Sequence, residues 1–143
     1  MNDTETIFAL ALASNFEPES NFEKAYKRIQ SLGNVQFSNI YLIPCRDGIG
    51  EDYWNSACIL KSSLSVDELL LIVKNMESEA GRVRPSHQIS LDIDLIAWGC
   101  HINEMQFNPK KMPLALDVKI PLSEILSHKL LISNGIKFNV VNV

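Results

Sequence analysis

Apolar and polar positions follow two alternating rhythms along this chain. Residues 6–13, TIFALALA, are short and apolar and end at the polar pair Ser14-Asn15. They read as a buried strand and a turn. From Pro18 the spacing changes: Phe22, Ala25, Tyr26, Ile29 and Leu32 recur every three or four residues. That is one apolar helix face, with Pro18 suited to its entrance and Gly33 to its exit. Val35, Phe37, Ile40 and Leu42 alternate loosely and predict a strand over 35–44 that carries a bulge. Residues 53–61, YWNSACILK, predict the next strand. Ser65 and Glu68 form a capping-box pattern ahead of the stripe Val66, Leu69, Leu70, Val73 and Met76, so a second helix is expected up to Gly81. Leu91, Ile93 and Leu95 then alternate with Asp92 and Asp94, a period-two strand continuing to Trp98.

Beyond this point the pattern weakens. Residues 100–107 suit a small hairpin or an extended excursion. Residues 113–126 are apolar and interrupted by proline, with a short helix expected at 123–126. Phe138, Val140 and Val143 suggest a closing strand or a packed tail. The order β-α-β-β-α-β plus a C-terminal extension predicts an α+β, ferredoxin-like (split βαβ) fold. In it an antiparallel sheet carries both helices on one face and leaves the other for loops and a site. A single domain over 1–143 is expected.

Composition narrows the function. The chain of 143 residues is 46% hydrophobic and 21% charged, with a formal net charge of -4. Without a basic block, no nucleic-acid footprint and no polybasic membrane contact are expected. No apolar run approaches a membrane span. The acidic start MNDTETIF lacks a signal-peptide core. Cys45, Cys58 and Cys100 are widely spaced and form no CxxC, which suggests a reducing compartment, so a cytoplasmic location is expected. His87, His101 and His128 have no close metal-ligand spacing.

The chemistry gathers at 81–94, GRVRPSHQISLDID. At about 3.3 Å per residue, the carboxylates of Asp92 and Asp94 stand roughly 6.6 Å apart on one strand face. Such a pair is either a solvated acidic face or a seat for hard cations; Mg²⁺ favours a few carboxylates completed by phosphate and water. Arg82 and Arg84 add planar donors suited to phosphate. Glu77 and Glu79 stand at a helix C-terminus, against its dipole, as solvated charge or because one has another task. Residues 46–52, RDGIGED, are a surface loop, either an ordinary connection or a substrate loop; no GKS/T follows to make a phosphate cradle.

Ordered motifs extend this picture. ALASNF at 11–16 is similar to an opening GSNL, and Tyr41 with Pro44 to a YxTxP element. YWNSA at 53–57 is similar to F/YLNAA. Glu77 with GRVR at 81–84 fits ExxxGRxR, LDIDLIAWG at 91–99 fits LDLDILLxG, and PLSEI at 121–125 fits PLxEI. In these pieces, over roughly 6–126, the chain resembles the 6-hydroxymethyl-7,8-dihydropterin pyrophosphokinases of folate synthesis. The resemblance implies Mg²⁺-dependent transfer of pyrophosphate from ATP to the pterin hydroxymethyl oxygen, releasing AMP. It implies that Asp92 and Asp94 hold two Mg²⁺, that Arg82 orients the phosphates with Arg84 assisting, and that Leu70 and Glu77 lie by the nucleotide. It also implies that Pro44, Tyr53 and Asn55 form the pterin side, Tyr53 stacking on the ring and Asn55 hydrogen-bonding its edge. The implied partners are small molecules, and the implied state is a monomer or weak homo-oligomer.

The chain departs from the family pattern at defined places. Ile89 stands where Arg precedes LDxD, and the loop before it is short and lacks the usual Trp. The family's PHxxMxxRxFVLxPL becomes NPKKMPLALDVKIPL: Pro109 replaces His, Ala115 replaces Arg and Asp117 replaces the pterin-stacking Phe. Ile43 and Ala13 replace a Thr and a Gly. Each Arg–phosphate contact contributes about 1.5–3 kcal/mol, so these changes bear on rate and affinity. Lys110 and Lys111 either supply charge from the altered segment or are plain solvated lysines. Two readings follow: a diverged pyrophosphokinase, or a weak or inactive nucleotide- and pterin-binding relative with a regulatory or interaction role.

Overall fold

The computed structural model describes residues 5–44, 51–81, 89–132, 135 and 137–142. The elements are β1 (Thr6–Ser14), α1 (Pro18–Gln30), β2 (Asn34–Phe37), β3 (Tyr41–Ile43), β4 (Tyr53–Ser62), α2 (Val66–Glu79), β5 (Asp92–Gly99), β6 (Gln106–Phe107), α3 (Leu116–Ile125) and β7 (Asn139–Val140). Short 3-10 turns at Pro109–Lys111 and Lys129–Leu131 flank α3. The sheet runs β6-β5-β1-β4-β3-β7, with β2 also paired to β4, and every pairing is antiparallel. This is an α+β chain with three α-helices among the described residues.

Alternation along the strands separates two apolar clusters. Phe8, Leu10 and Leu12 of β1 join Cys58 and Leu60 of β4 and Ile93 and Leu95 of β5. Phe22, Ala25 and Ile29 of α1 and Leu69, Val73 and Met76 of α2 close over them in the same cluster. The intervening residues Ala9, Ala11, Ala57 and Ala97 belong to a second cluster, with Leu122 of α3 and Leu114, Leu126 and Leu131 around it. Successive strand side chains point to opposite faces, so the sheet is packed on both sides.

The helix ends follow their local chemistry. Ser65 Oγ accepts from Glu68 N at 3.1 Å and Glu68 Oε1 accepts from Ser65 N at 2.8 Å, closing the expected capping box. Pro18 occupies the first turn of α1, where its missing N–H costs nothing. At Gly33 an added Cβ would overlap the Lys61 carbonyl; a bare backbone lets the chain turn from α1 into β2 against β4.

Two boundaries differ from the sequence expectation. The strand expected over 35–44 is two strands, β2 and β3. Ser38 interrupts it: its Oγ accepts from Ala57 N at 2.9 Å and donates to Asn39 O at 2.7 Å. Glu124 of α3 then holds the corner, accepting from Asn39 N at 2.9 Å and from the Tyr41 hydroxyl at 2.8 Å. The short helix expected at 123–126 begins at Leu116 and contains Pro121. Proline removes one backbone donor, but Ile120, Pro121 and Leu122 are all buried, and packing carries the helix across it. The expected closing strand is β7, whose partner is β3. Residue 143 of that expectation lies outside the described residues.

Candidate active site

Three strands, the first turn of α3 and the residues Pro44 and Ile89 build one cavity. On β1, Ala13 is in register with Asn55 of β4 and with Asp92 of β5, and Ala11 is in register with Ala57 and with Asp94. Ala11 and Ala13 form a low floor between an acidic row on β5 and the polar start of β4. Adjacent strands are about 4.8 Å apart, so the carboxylates and the Asn55 amide face one another across roughly two strand spacings. The cavity, about 450 Å³, is lined by these alanines, Pro44, Tyr53, Asn55, Ile89, Asp92, Asp94, Asp117 and Val118.

Asn55 is the most telling residue here. Its side chain is 4% exposed, and its Nδ2 has no hydrogen-bond partner among the described residues. Leaving a buried donor unsatisfied costs about 1–3 kcal/mol. Tyr53 lies two residues earlier on the same strand face, half-buried, and supplies a flat ring beside that donor.

The opposite wall is acidic. Asp92 and Asp94 share the cavity face while Ile93 and Leu95 point into the α1/α2 cluster. The Lys111 Nζ donates to Asp94 Oδ1 at 2.9 Å, with both side chains about one-third exposed (37% and 33%). Lys111 is therefore no plain solvated lysine. Two part-exposed carboxylates are hard oxygen donors, and Asp94 pairs with Lys111. Among the described residues no cluster has three or more His, Cys, Asp or Glu in metal-binding range, so an ion here would complete its shell with water or ligand oxygens. The donor set fits Mg²⁺ in that manner.

Backbone clamps fix the rim. Asn15, from the ASNF motif, is 6% exposed. Its Oδ1 accepts from Ile89 N at 2.6 Å, its N donates to Ile89 O at 2.9 Å, and its Nδ2 donates to Glu51 O at 3.4 Å. It thus ties down the chain just after 45–50 and just after 82–88. Glu77 of α2 accepts from Ile93 N at 2.7 Å, which joins the helix end to the backbone between the two aspartates. That contact answers the question raised by its position against the helix dipole.

The site residues expected from the sequence divide cleanly. Pro44, Tyr53, Asn55, Asp92 and Asp94 come together in the cavity, and Asp117, the residue at the stacking-Phe position, stands with them. Glu77 supports the acidic strand from behind. Leu70 lies 43% exposed on α2 and does not line this cavity. Arg82 and Arg84 lie outside the described residues. Sequence reasoning did not single out Asn15, Ala11 or Ala13 as parts of a site. The signals available were the ALASNF motif for Asn15 and the small-large alternation Ala9, Leu10, Ala11, Leu12, Ala13 for the alanines.

The cavity thus sets a carboxylate pair on β5 opposite a ring and an amide on β4. The chain matches the family model described as 7,8-dihydro-6-hydroxymethylpterin-pyrophosphokinase over residues 9–134. It belongs to that family.

Proposed function

We propose that this cavity carries out pyrophosphoryl transfer from ATP to 6-hydroxymethyl-7,8-dihydropterin, giving AMP and the pterin diphosphate of folate synthesis. The single observation that carries this is the buried Asn55 Nδ2, without a partner among the described residues, beside Tyr53 and across from Asp92 and Asp94. A flat heterocycle with acceptor atoms on its edge satisfies Asn55 Nδ2 while stacking on Tyr53. Its hydroxymethyl group then points along the alanine floor toward the carboxylates. Asp92 and Asp94 hold Mg²⁺ there; when bound, the metal neutralises and aligns the polyphosphate oxygens. Little covalent help is needed from the protein, because phosphoryl transfer is governed by positioning and charge neutralisation. Arg82 and Arg84 bind the phosphates, and Leu70 and Glu77 lie on the nucleotide side. The strand order and the shared α1/α2 cluster support a ferredoxin-like arrangement with both helices on one face, in one pterin pyrophosphokinase-like domain.

Incubation with ATP, Mg²⁺ and hydroxymethyl-dihydropterin tests this. AMP release that depends on the pterin is the expected outcome; no AMP from a folded protein would reject it. A second reading, binding without efficient turnover, is favoured by one specific observation. Asp117 lines the cavity where a second aromatic wall would stand, and a carboxylate cannot stack on a ring. Tight binding of ATP and pterin without AMP would select that reading.

A further inference from the structure

Lys111 does not reach Asp94 by chance of a long side chain. β5 carries an extra residue at Ile96, between the pairs Ala9–Ala97 and Leu10–Leu95, which breaks the ladder locally. Asn108 bonds there twice: its N donates to Ile96 O at 2.8 Å and its Nδ2 to Leu95 O at 3.0 Å. Its Oδ1 accepts from Lys110 N at 3.1 Å, and its carbonyl accepts from Lys111 N at 3.0 Å. One asparagine thus fastens the Pro109–Lys111 turn to the bulge and sets Lys111 over Asp94.

We propose that Lys111 and a divalent metal compete for Asp94, so that the protein carries its own counter-ion in the place where the metal docks. This rests on the reading of Asp92 and Asp94 as the metal pair. With no metal bound, the ammonium offsets the carboxylate. A metal must displace it, and the apparent metal affinity falls by the fraction of molecules in which Asp94 is already taken. Polyphosphate oxygens give the released ammonium a new partner, so nucleotide and metal assist each other's entry. Part-exposed pairs of this kind are worth about 0.2–1 kcal/mol. Removing the competitor should therefore tighten metal binding roughly two- to sixfold.

The test is electron paramagnetic resonance titration of the full chain with Mn²⁺, standing in for Mg²⁺, without nucleotide. Lys111→Met is expected to bind Mn²⁺ two- to sixfold more tightly than the parent. Lys110→Met removes the same charge from the same turn and is expected to stay near the parent. Equal changes in both variants would reduce the effect to general electrostatics and overturn the proposal. No change in Lys111→Met, with Asp94→Asn weakened, would overturn it and leave the metal assignment standing. Unchanged Mn²⁺ affinity in Asp94→Asn, or no binding by any of these proteins, would overturn both.

Discussion

The two faces of β1 are built from different residues, and the difference separates folding from function. Phe8, Leu10 and Leu12 point into the cluster closed by α1 and α2. Ala9, Ala11 and Ala13 point the other way: Ala9 is buried in the second cluster with Leu122 of α3, and Ala11 and Ala13 line the cavity. Large side chains on one face fill space; small ones on the other leave it. The polar residues sort with the alanines, since Asn55, Asp92 and Asp94 are in register with Ala13 and Ala11. One face is packed by α1 and α2, and the other is shared between the second apolar cluster and the cavity.

Truncation on the filled face should have the largest effect. Phe8 is fully buried, and Phe8→Ala should destabilise the fold by about 3–5 kcal/mol, read by urea denaturation. A loss under about 1 kcal/mol would mean that this face does not hold the molecule together. Enlarging a residue on the open face should do the reverse. Ala13→Leu should lower pterin affinity by about tenfold or more, since the side chain would fill the floor between Asn55 and Asp92, while stability stays within about 1 kcal/mol. Retained affinity in a folded Ala13→Leu protein would remove the alanine floor from the site.

Asp117→Phe sharpens the comparison from the ligand's side. A second ring opposite Tyr53 adds about 0.5–1.5 kcal/mol of stacking, so calorimetry with the pterin and a non-hydrolysable ATP analogue should show affinity improved by up to roughly tenfold. If the parent binds as tightly, another side chain already supplies that wall. An effect confined to alkaline pH belongs to Tyr26 on the filled face, whose hydroxyl donates to Ser56 Oγ at 2.8 Å. Burial pushes its phenol up from 10.0 to about 12, against the opposing hydrogen bond. The unfolded chain loses this proton near pH 10 while the fold keeps it. Its contribution is thus complete below pH 10 and is lost as pH rises toward 12. Tyr26→Phe should flatten that decline relative to the parent; identical pH curves would mean that the phenol is not held neutral by the fold.

How far the sequence could be read follows from the same contrast. Stripes that fill a core repeat at the period of their element, so α1, α2, β1 and β5 were legible from Phe22–Ile29, Leu69–Met76 and the alternation around Asp92 and Asp94. What depends on a single side chain bonding to distant backbone leaves no period. Ser38 breaking one strand into two, Asn108 gripping the bulge at Ile96 and Glu124 holding the β2–β3 corner are of that kind. Pro121 hid most of α3, because a periodic reading stops at a missing donor that tertiary packing then overrides. The residues gathered in the cavity were named from motif resemblance and a strand face. The burial of Asn55 Nδ2 without a partner among the described residues is set by the packing around β4 and leaves no mark in the pattern.

The most direct measurement compares the parent with Asn55→Leu, titrating each with hydroxymethyl-dihydropterin by calorimetry in the presence of a non-hydrolysable ATP analogue, with urea stability recorded alongside. The buried Nδ2, without a partner among the described residues, is expected to serve the ligand at the fold's expense. Its removal should therefore lower pterin affinity by about tenfold or more while leaving stability unchanged or raised by about 1 kcal/mol. Unchanged pterin affinity, or a fold that collapses without the amide, would contradict the assignment of this cavity as the pterin site.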